Sequence, residues 1–121
     1  NSYAGFTIDS WGYYGFRPEK YHSGVLTTYG EIFTTGDIIG VALDMDVGTI
    51  EFYKNGISQG IAYTGVTGVI YPMYSVYGSG NRMTANFGQN PFIYDVPGGF
   101  HQGVYEDTPI LHYDFEGNFD D

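Results

Sequence analysis

Residues 36 to 56 write two hairpin turns and an alternating apolar face, and no other stretch limits so tightly what this chain can fold into. Along residues 38 to 45 the odd positions Ile39, Val41, Leu43 and Met45 share one face of a strand. A helix would scatter them around its circumference. Beyond the first turn, Ile50 and Phe52 point to the same interior while Glu51 and Tyr53 point away. Asn55-Gly56 then supplies the two positive-φ positions that a type I′ turn requires, and residues 57 to 63 return as the next strand.

Nineteen glycines in 121 residues fit many short strands with tight turns, whereas each glycine inside a helix would cost about 1 kcal/mol. Almost no helix is expected. With 42% hydrophobic and 19% aromatic content, the chain can build one compact domain and hardly two. The absence of cysteine excludes a disulfide framework and thiolate metal sites, so stability must come from the apolar core. A net charge of −10 repels the phosphate backbone that nucleic-acid binders neutralise with several basic contacts. Neither nucleic acid nor membrane insertion is expected, because the longest apolar runs, such as Ile38 to Leu43, fall far short of the roughly 20 residues that span a bilayer. No signal segment is visible. The chain opens at Asn1 without a methionine and stops at Asp121 inside a new strand pattern, so it reads as a piece of a longer protein.

Further strands are expected over residues 2 to 8, Trp11 to Phe16 and Lys20 to His22, the last two separated by a turn at Arg17-Pro18-Glu19. Thr34 to Asp37 turns the chain into the central hairpin. Tyr71 to Tyr77 and Met83 to Phe87 form a last pair closed by Gly78 to Asn81, with Tyr74 and Val76 on one inner face and Met83, Ala85 and Phe87 on the other. Pro91, Pro97 and Gly98-Gly99 end regular pairing, and a domain boundary is expected near residue 104. Residues 105 to 121 carry Glu106, Asp107, Asp114, Glu116, Asp120 and Asp121 and no basic residue. Within them Ile110 to Phe115 alternates like a strand.

The chain resembles the SPRY domain family, a sandwich of two antiparallel sheets. The resemblance rests on Ser10-Trp11-Gly12-Tyr13, Lys20-Tyr21-His22-Ser23-Gly24, Tyr29-Gly30, the Gly36 to Gly56 series, Tyr71-Pro72 with Ser75, and Asn86-Phe87-Gly88 followed by Pro91-Phe92. These cover residues 2 to 100 in the family's order. Members begin with additional strands, so the resemblance implies that residues upstream of Asn1 complete the sheets. The segment Leu111 to Asp121 resembles the opening strand of a laminin-G or concanavalin-like lectin domain. The implied organisation is a SPRY-like sandwich over 1–104 and an acidic linker with the first strand of a lectin-like domain over 105–121.

Asp44-x-Asp46 places two carboxylates on one strand face about 6 to 7 Å apart. A calcium loop of the EF-hand type would want Asp or Asn at position 48, Gly at 49 and Glu at 55, where the chain has Gly48, Thr49 and Asn55. A retaining glycosidase would want a third carboxylate at 49. The structural reading makes this a hairpin turn in which Asp46 bonds its own backbone. Asp46, Gly48, Asn55 and Gly56 are therefore assigned to turns, and no catalytic or metal-binding residue and no cofactor is assigned. His22, His101 and His112 lack ligand spacing. His22 is expected to be partly buried and hydrogen-bonded. Ser75 has no neighbouring base.

Thirteen tyrosines offer contact area with few rotors to order. Tyr14 and Arg17 in the first loop region and Tyr77, Asn81 and Arg82 in the last hairpin are the candidate ligand-binding residues, whereas Trp11 and Tyr13 match core positions of the family. The cysteine-free, Gly-, Thr- and Tyr-rich texture, with a lectin-like continuation, resembles bacteriophage virion proteins. The sequence thus leads to a non-catalytic binding and assembly module of a tail or fibre protein. Its expected partners are other virion subunits, a host-surface protein or a glycan, within a homo-oligomeric particle. The alternative is a cytoplasmic SPRY adaptor that binds a short peptide of a partner. A carbohydrate-active enzyme would need carboxylates from outside this segment.

Overall fold

The computed structural model describes residues 8, 10–15, 17–71, 73, 82–107 and 110–120, those from 104 onward by their backbone alone. None of these residues is helical. Their strands are β1 (Trp11–Tyr14), β2 (Glu19–His22), β3 (Val25–Thr28), β4 (Ile38–Asp44), β5 (Thr49–Lys54), β6 (Ile57–Tyr63), β7 (Arg82–Asn86), β8 (Gly103–Asp107) and β9 (Ile110–Asp120). One sheet runs β1-β2-β3 and the other β6-β5-β4-β9-β7, with β8 also paired to β9. Every pairing is antiparallel. The molecule is the all-β antiparallel sandwich that the glycine spacing and the alternation dictate.

The central hairpin pairs Ile39 with Lys54, Val41 with Phe52 and Leu43 with Ile50. That register brings Ile39, Leu43, Ile50 and Phe52 into the core, each no more than 6% exposed. Ala42 is also buried, although it lies on the other face of β4. Residues 92–97 cover that face: Phe92, Tyr94 and Pro97 close on Ile38, Gly40 and Tyr53, leaving a crevice of about 20 Å³, little more than one water molecule. This cover has no strand or helix periodicity, so the sequence places it only as the end of pairing.

Asn55 (φ 51°) and Gly56 (φ 81°) form the left-handed corner between β5 and β6. Asn55 has a second task. Its N–H donates to the Ile38 carbonyl at 2.8 Å, its Oδ1 accepts the Ile38 N–H at 2.9 Å, and its Nδ2 donates to Asp37 Oδ1 at 3.0 Å. Thr34 N–H donates to Asp37 Oδ2 at 2.8 Å. Burial pushes the Asp37 carboxyl up, but the bonds from Asn55 and Thr34 and the charge of Lys54 outweigh it, and the group titrates below its ordinary value. A depressed carboxylate stabilises the fold above its unfolded pKa and loses that contribution as pH falls through the folded value. Asp37→Asn is therefore expected to flatten the fall in melting temperature as pH drops below the ordinary aspartate value of about 4. An unchanged acid limb would overturn the assignment.

At the β4–β5 turn the structure corrects the expected role of Asp46. It is Asp44 whose Oδ1 accepts the N–H groups of Asp46 at 3.0 Å and Val47 at 3.3 Å, while Asp46 itself is exposed. An Asx side chain bonds backbone two and three residues ahead, so the turn's first carboxylate does this work. Gly48 closes the turn with its N–H on the Asp44 carbonyl at 2.7 Å.

Other expectations fare differently. No apolar alternation in the sequence marks β3, all four of whose residues are exposed. Met83 and Ala85 are half-buried on β7, but Phe87 is 37% exposed. It lies past the strand end, where its N–H bonds Gln89 Oε1 at 2.7 Å. Ser75, all but Ile8 of the strand expected over residues 2 to 8, and most of 71 to 77, with Tyr74 and Val76, lie outside the described residues. The expected alternation at Ile110 to Phe115 lies within β9. Its backbone pairs Phe115 with Val41, Tyr113 with Leu43 and Phe119 with Met83. Sheet pairing thus runs across the boundary expected near residue 104.

Candidate functional site

The two sheets meet through aromatic rings. Pairing of Trp11 with His22 and Tyr13 with Lys20 sets these four residues on one face of the small sheet. The Tyr13 ring lies 4.8 Å from Phe33, 5.2 Å from Tyr29 and 5.2 Å from Phe52, all between ring centroids and in edge-on or tilted geometry. Trp11 stacks on His22 at 5.0 Å. Trp11 and Tyr13 accordingly pack against the core.

Polar bonds then lock β6 to the small sheet. Tyr63 Oη donates to the Gly12 carbonyl at 2.7 Å and lies 3.0 Å from that of Tyr21. Burial pushes this hydroxyl up to about 12. Tyr29 Oη, also raised mainly by burial, donates to the Gly60 carbonyl at 2.6 Å. Lys20 Nζ donates to the Ala62 carbonyl at 2.5 Å and lies over the rings of Tyr63 at 5.1 Å and Tyr29 at 5.8 Å. These groups engage β6 carbonyls that would otherwise offer an edge for pairing.

Beside these bonds an open slot of about 380 Å³ is lined by Lys20, His22, Ser23, Val25, Thr27 and Tyr63. It follows from the register: Lys20 faces Thr27 and His22 faces Val25 across β2 and β3, so all four share one face. The turn between them, Ser23 (φ 54°) and Gly24 (φ 77°), is the two-residue left-handed kind. His22 Nδ1 is 2.7 Å from the Ser10 carbonyl. A carbonyl only accepts, so Nδ1 carries the proton and Nε2 is the acceptor of the neutral ring. Among the described residues, no carboxylate lies within ion-pair distance of Lys20; the ion pair found joins Lys54 to Glu31 at 3.3 Å. The sequence marks His22 as hydrogen-bonded but gives no hint of Lys20, whose partners come from β6 and from the chain after β3.

The candidates named from sequence are scattered. Tyr14 ends β1 at 41% exposure, and Arg17 and Arg82 are exposed. Tyr77 and Asn81 lie outside the described residues. No hydrogen bond or ring contact among the described residues joins Arg82 to Tyr14 or Arg17. The same residues gather no group of three His, Asp or Glu side chains able to hold a metal.

Comparison with known proteins decides the family. The model of the SPRY domain matches residues 1–90. The chain belongs to the SPRY domain family. Human Ran-binding protein 9 is 38% identical over 97 residues, which are 79% of this chain and 13% of that protein. The Ran-binding proteins 9/10 homolog of Drosophila melanogaster is 38% identical over 96 residues, 78% of this chain and 10% of the relative. The E3 ubiquitin-protein ligase RKP of Arabidopsis thaliana is 37% identical over 95 residues, 74% and 7%. This SPRY chain therefore spans less than a fifth of the length of these curated relatives. No solved structure gives a significant match.

These findings overturn the virion reading. The relatives are proteins of vertebrates, an insect and a plant, so the phage tail or fibre setting, host recognition and location in a virus particle fall. Texture misled because glycine, threonine and tyrosine content reflects turns and strands in any sandwich, whatever genome encodes it. The SPRY match stops at residue 90 and lends no support to a lectin-like domain beyond it. SPRY domains are binding modules that mediate protein–protein contacts.

Proposed function

We propose that this chain is the peptide-capturing SPRY adaptor of a larger cellular protein, acting without bond-making chemistry; a cytoplasmic setting goes with that reading. The observation that carries it is proportion. The matching segment occupies 7% to 18% of relatives that share it, as expected of a rigid module that brings a partner to activities housed elsewhere in the chain. Physically, the aromatic core and the bonds between sheets hold the loops still, and pre-organised loops lose little entropy when a peptide docks. Tyr14 and Arg17, exposed at the same end of β1, suit this role, since tyrosine and arginine supply much of the energy at interfaces. Neither a glycan ligand nor homo-oligomeric assembly has an observation that favours it.

Selection of a random peptide library on the folded domain tests the proposal. A convergent motif with a Kd in the micromolar range, about −8 kcal/mol, is expected, and Asp44→Asn with Asp46→Asn should leave its affinity unchanged. Failure to enrich any peptide would overturn the adaptor reading. A fall in affinity in the double variant, with its fold intact, would overturn the placing of both aspartates in a structural turn.

A further inference from the structure

The outer edge of β3 differs from that of β6. Tyr29, Lys20 and Glu31 engage β6 groups, the last through its N–H on Gln59 Oε1 at 3.0 Å, whereas no described residue pairs with β3 beyond β2. In a two-residue hairpin the residues flanking the turn, His22 and Val25, exchange hydrogen bonds, and so do Lys20 and Thr27 two places on. The backbone groups of Leu26 and Thr28 consequently face outward. Val25 is 61% exposed and Leu26 45%, an apolar edge of the sort that natural sheets usually blunt with charge.

We infer that β3 accepts an extended acidic peptide segment as an added strand, with a carboxylate entering the slot beside Lys20 and apolar side chains packing on Leu26. Three features fix the chemistry. An added antiparallel strand pairs its residues with Leu26 and Thr28, and its intervening residue points to the slot face with Val25 and Thr27. About 10 Å separates β2 from such a strand, a gap that lysine and glutamate side chains close from both ends. Lys20 is held over two tyrosine rings with one hydrogen bond satisfied, so its remaining N–H groups and its charge are available to an acceptor, and the Thr27 hydroxyl lies on the same face. A single ammonium in the slot matches a single carboxylate. A phosphate site would call for an arginine cluster.

This inference rests on the adaptor reading and supplies its site and ligand chemistry. The probe is a capped pentapeptide, Thr-Val-Glu-Val-Thr, titrated into the domain while backbone amide resonances are followed. Saturable shifts at Leu26, Thr28 and Lys20 are expected, and replacing the glutamate by glutamine should weaken binding about tenfold. N-methylation of both valines removes the N–H groups that pair with β3 and should abolish binding, whereas N-methylation of the glutamate should not. These peptide changes leave the protein intact. Lys20→Met, shown to remain folded by its amide spectrum, should erase the preference for glutamate over glutamine. Equal affinity of the two peptides, indifference to valine methylation, or no saturation at about 5 mM would each overturn the inference. A peptide selected from the library whose shifts map to Tyr14 and Arg17 would overturn this site and leave the adaptor reading standing. An empty selection together with no binding of the pentapeptide would overturn both.

Discussion

Phe52→Ala is expected to cost about 3 to 5 kcal/mol, the span for truncating a buried phenylalanine. The ring is 6% exposed and sits in the layer where the two sheets meet, with Tyr13 at 5.2 Å and Tyr29 at 6.1 Å. Removing it deletes buried carbon and both ring contacts, and β5 cannot collapse into the void because it is paired to β4 and β6. Single domains are stable by roughly 5 to 15 kcal/mol, so the loss is a large fraction of the total. Urea denaturation of both forms measures it, and a midpoint shift equivalent to less than about 1 kcal/mol would mean that the ring is not a sheet-to-sheet contact.

Gly48→Ala is expected to cost about 2 to 4 kcal/mol, although it adds a single carbon. Two penalties add. The residue has φ +81°, where a side chain costs about 1 to 2 kcal/mol, and its Cβ would stand 2.8 Å from the Val66 carbonyl oxygen and 3.2 Å from the Val66 nitrogen. Those are backbone atoms that cannot rotate away, and overpacking of that kind costs a further 1 to 3 kcal/mol or so. Val66 also donates its N–H to the Gly48 carbonyl at 3.0 Å, so relief by displacement would stretch that bond. Gly36 is the internal control, since it has φ +89° with nothing within 4 Å of a built Cβ. Gly36→Ala should show the conformational penalty alone. Equal losses at the two positions would show that the approach of Val66 contributes nothing.

The control also marks what was legible in advance. Gly48, Asn55 and Gly56 were assigned to turns from their neighbours alone, and β6 runs over Ile57–Tyr63 as read, because a two-residue left-handed turn and the alternation beside it are local properties. Trp11 and Tyr13 were placed in the core from the family pattern. The turn pattern points to Asp46 as the carboxylate that bonds the backbone, and only the backbone path shows that the turn N–H groups reach Asp44 instead. β3 left no trace because it lies beyond the core, where nothing selects for alternating apolar residues. Lys20 could not be singled out, since its partners Tyr29, Ala62 and Tyr63 come from chain far from the turn that carries it.

The sequence by itself determined the class of fold, the central hairpin and its register, and membership of a family of binding modules, all carried by side-chain alternation and glycine corners within short windows. Tertiary structure decided which sheet edge is sealed and which has no partner strand among the described residues, where residues 92–97 cover the second face of β4, and that a lysine stands over two tyrosine rings beside a slot. Those outcomes depend on how distant strands close over one another, and the free energy of that closure is shared among residues that no local pattern connects.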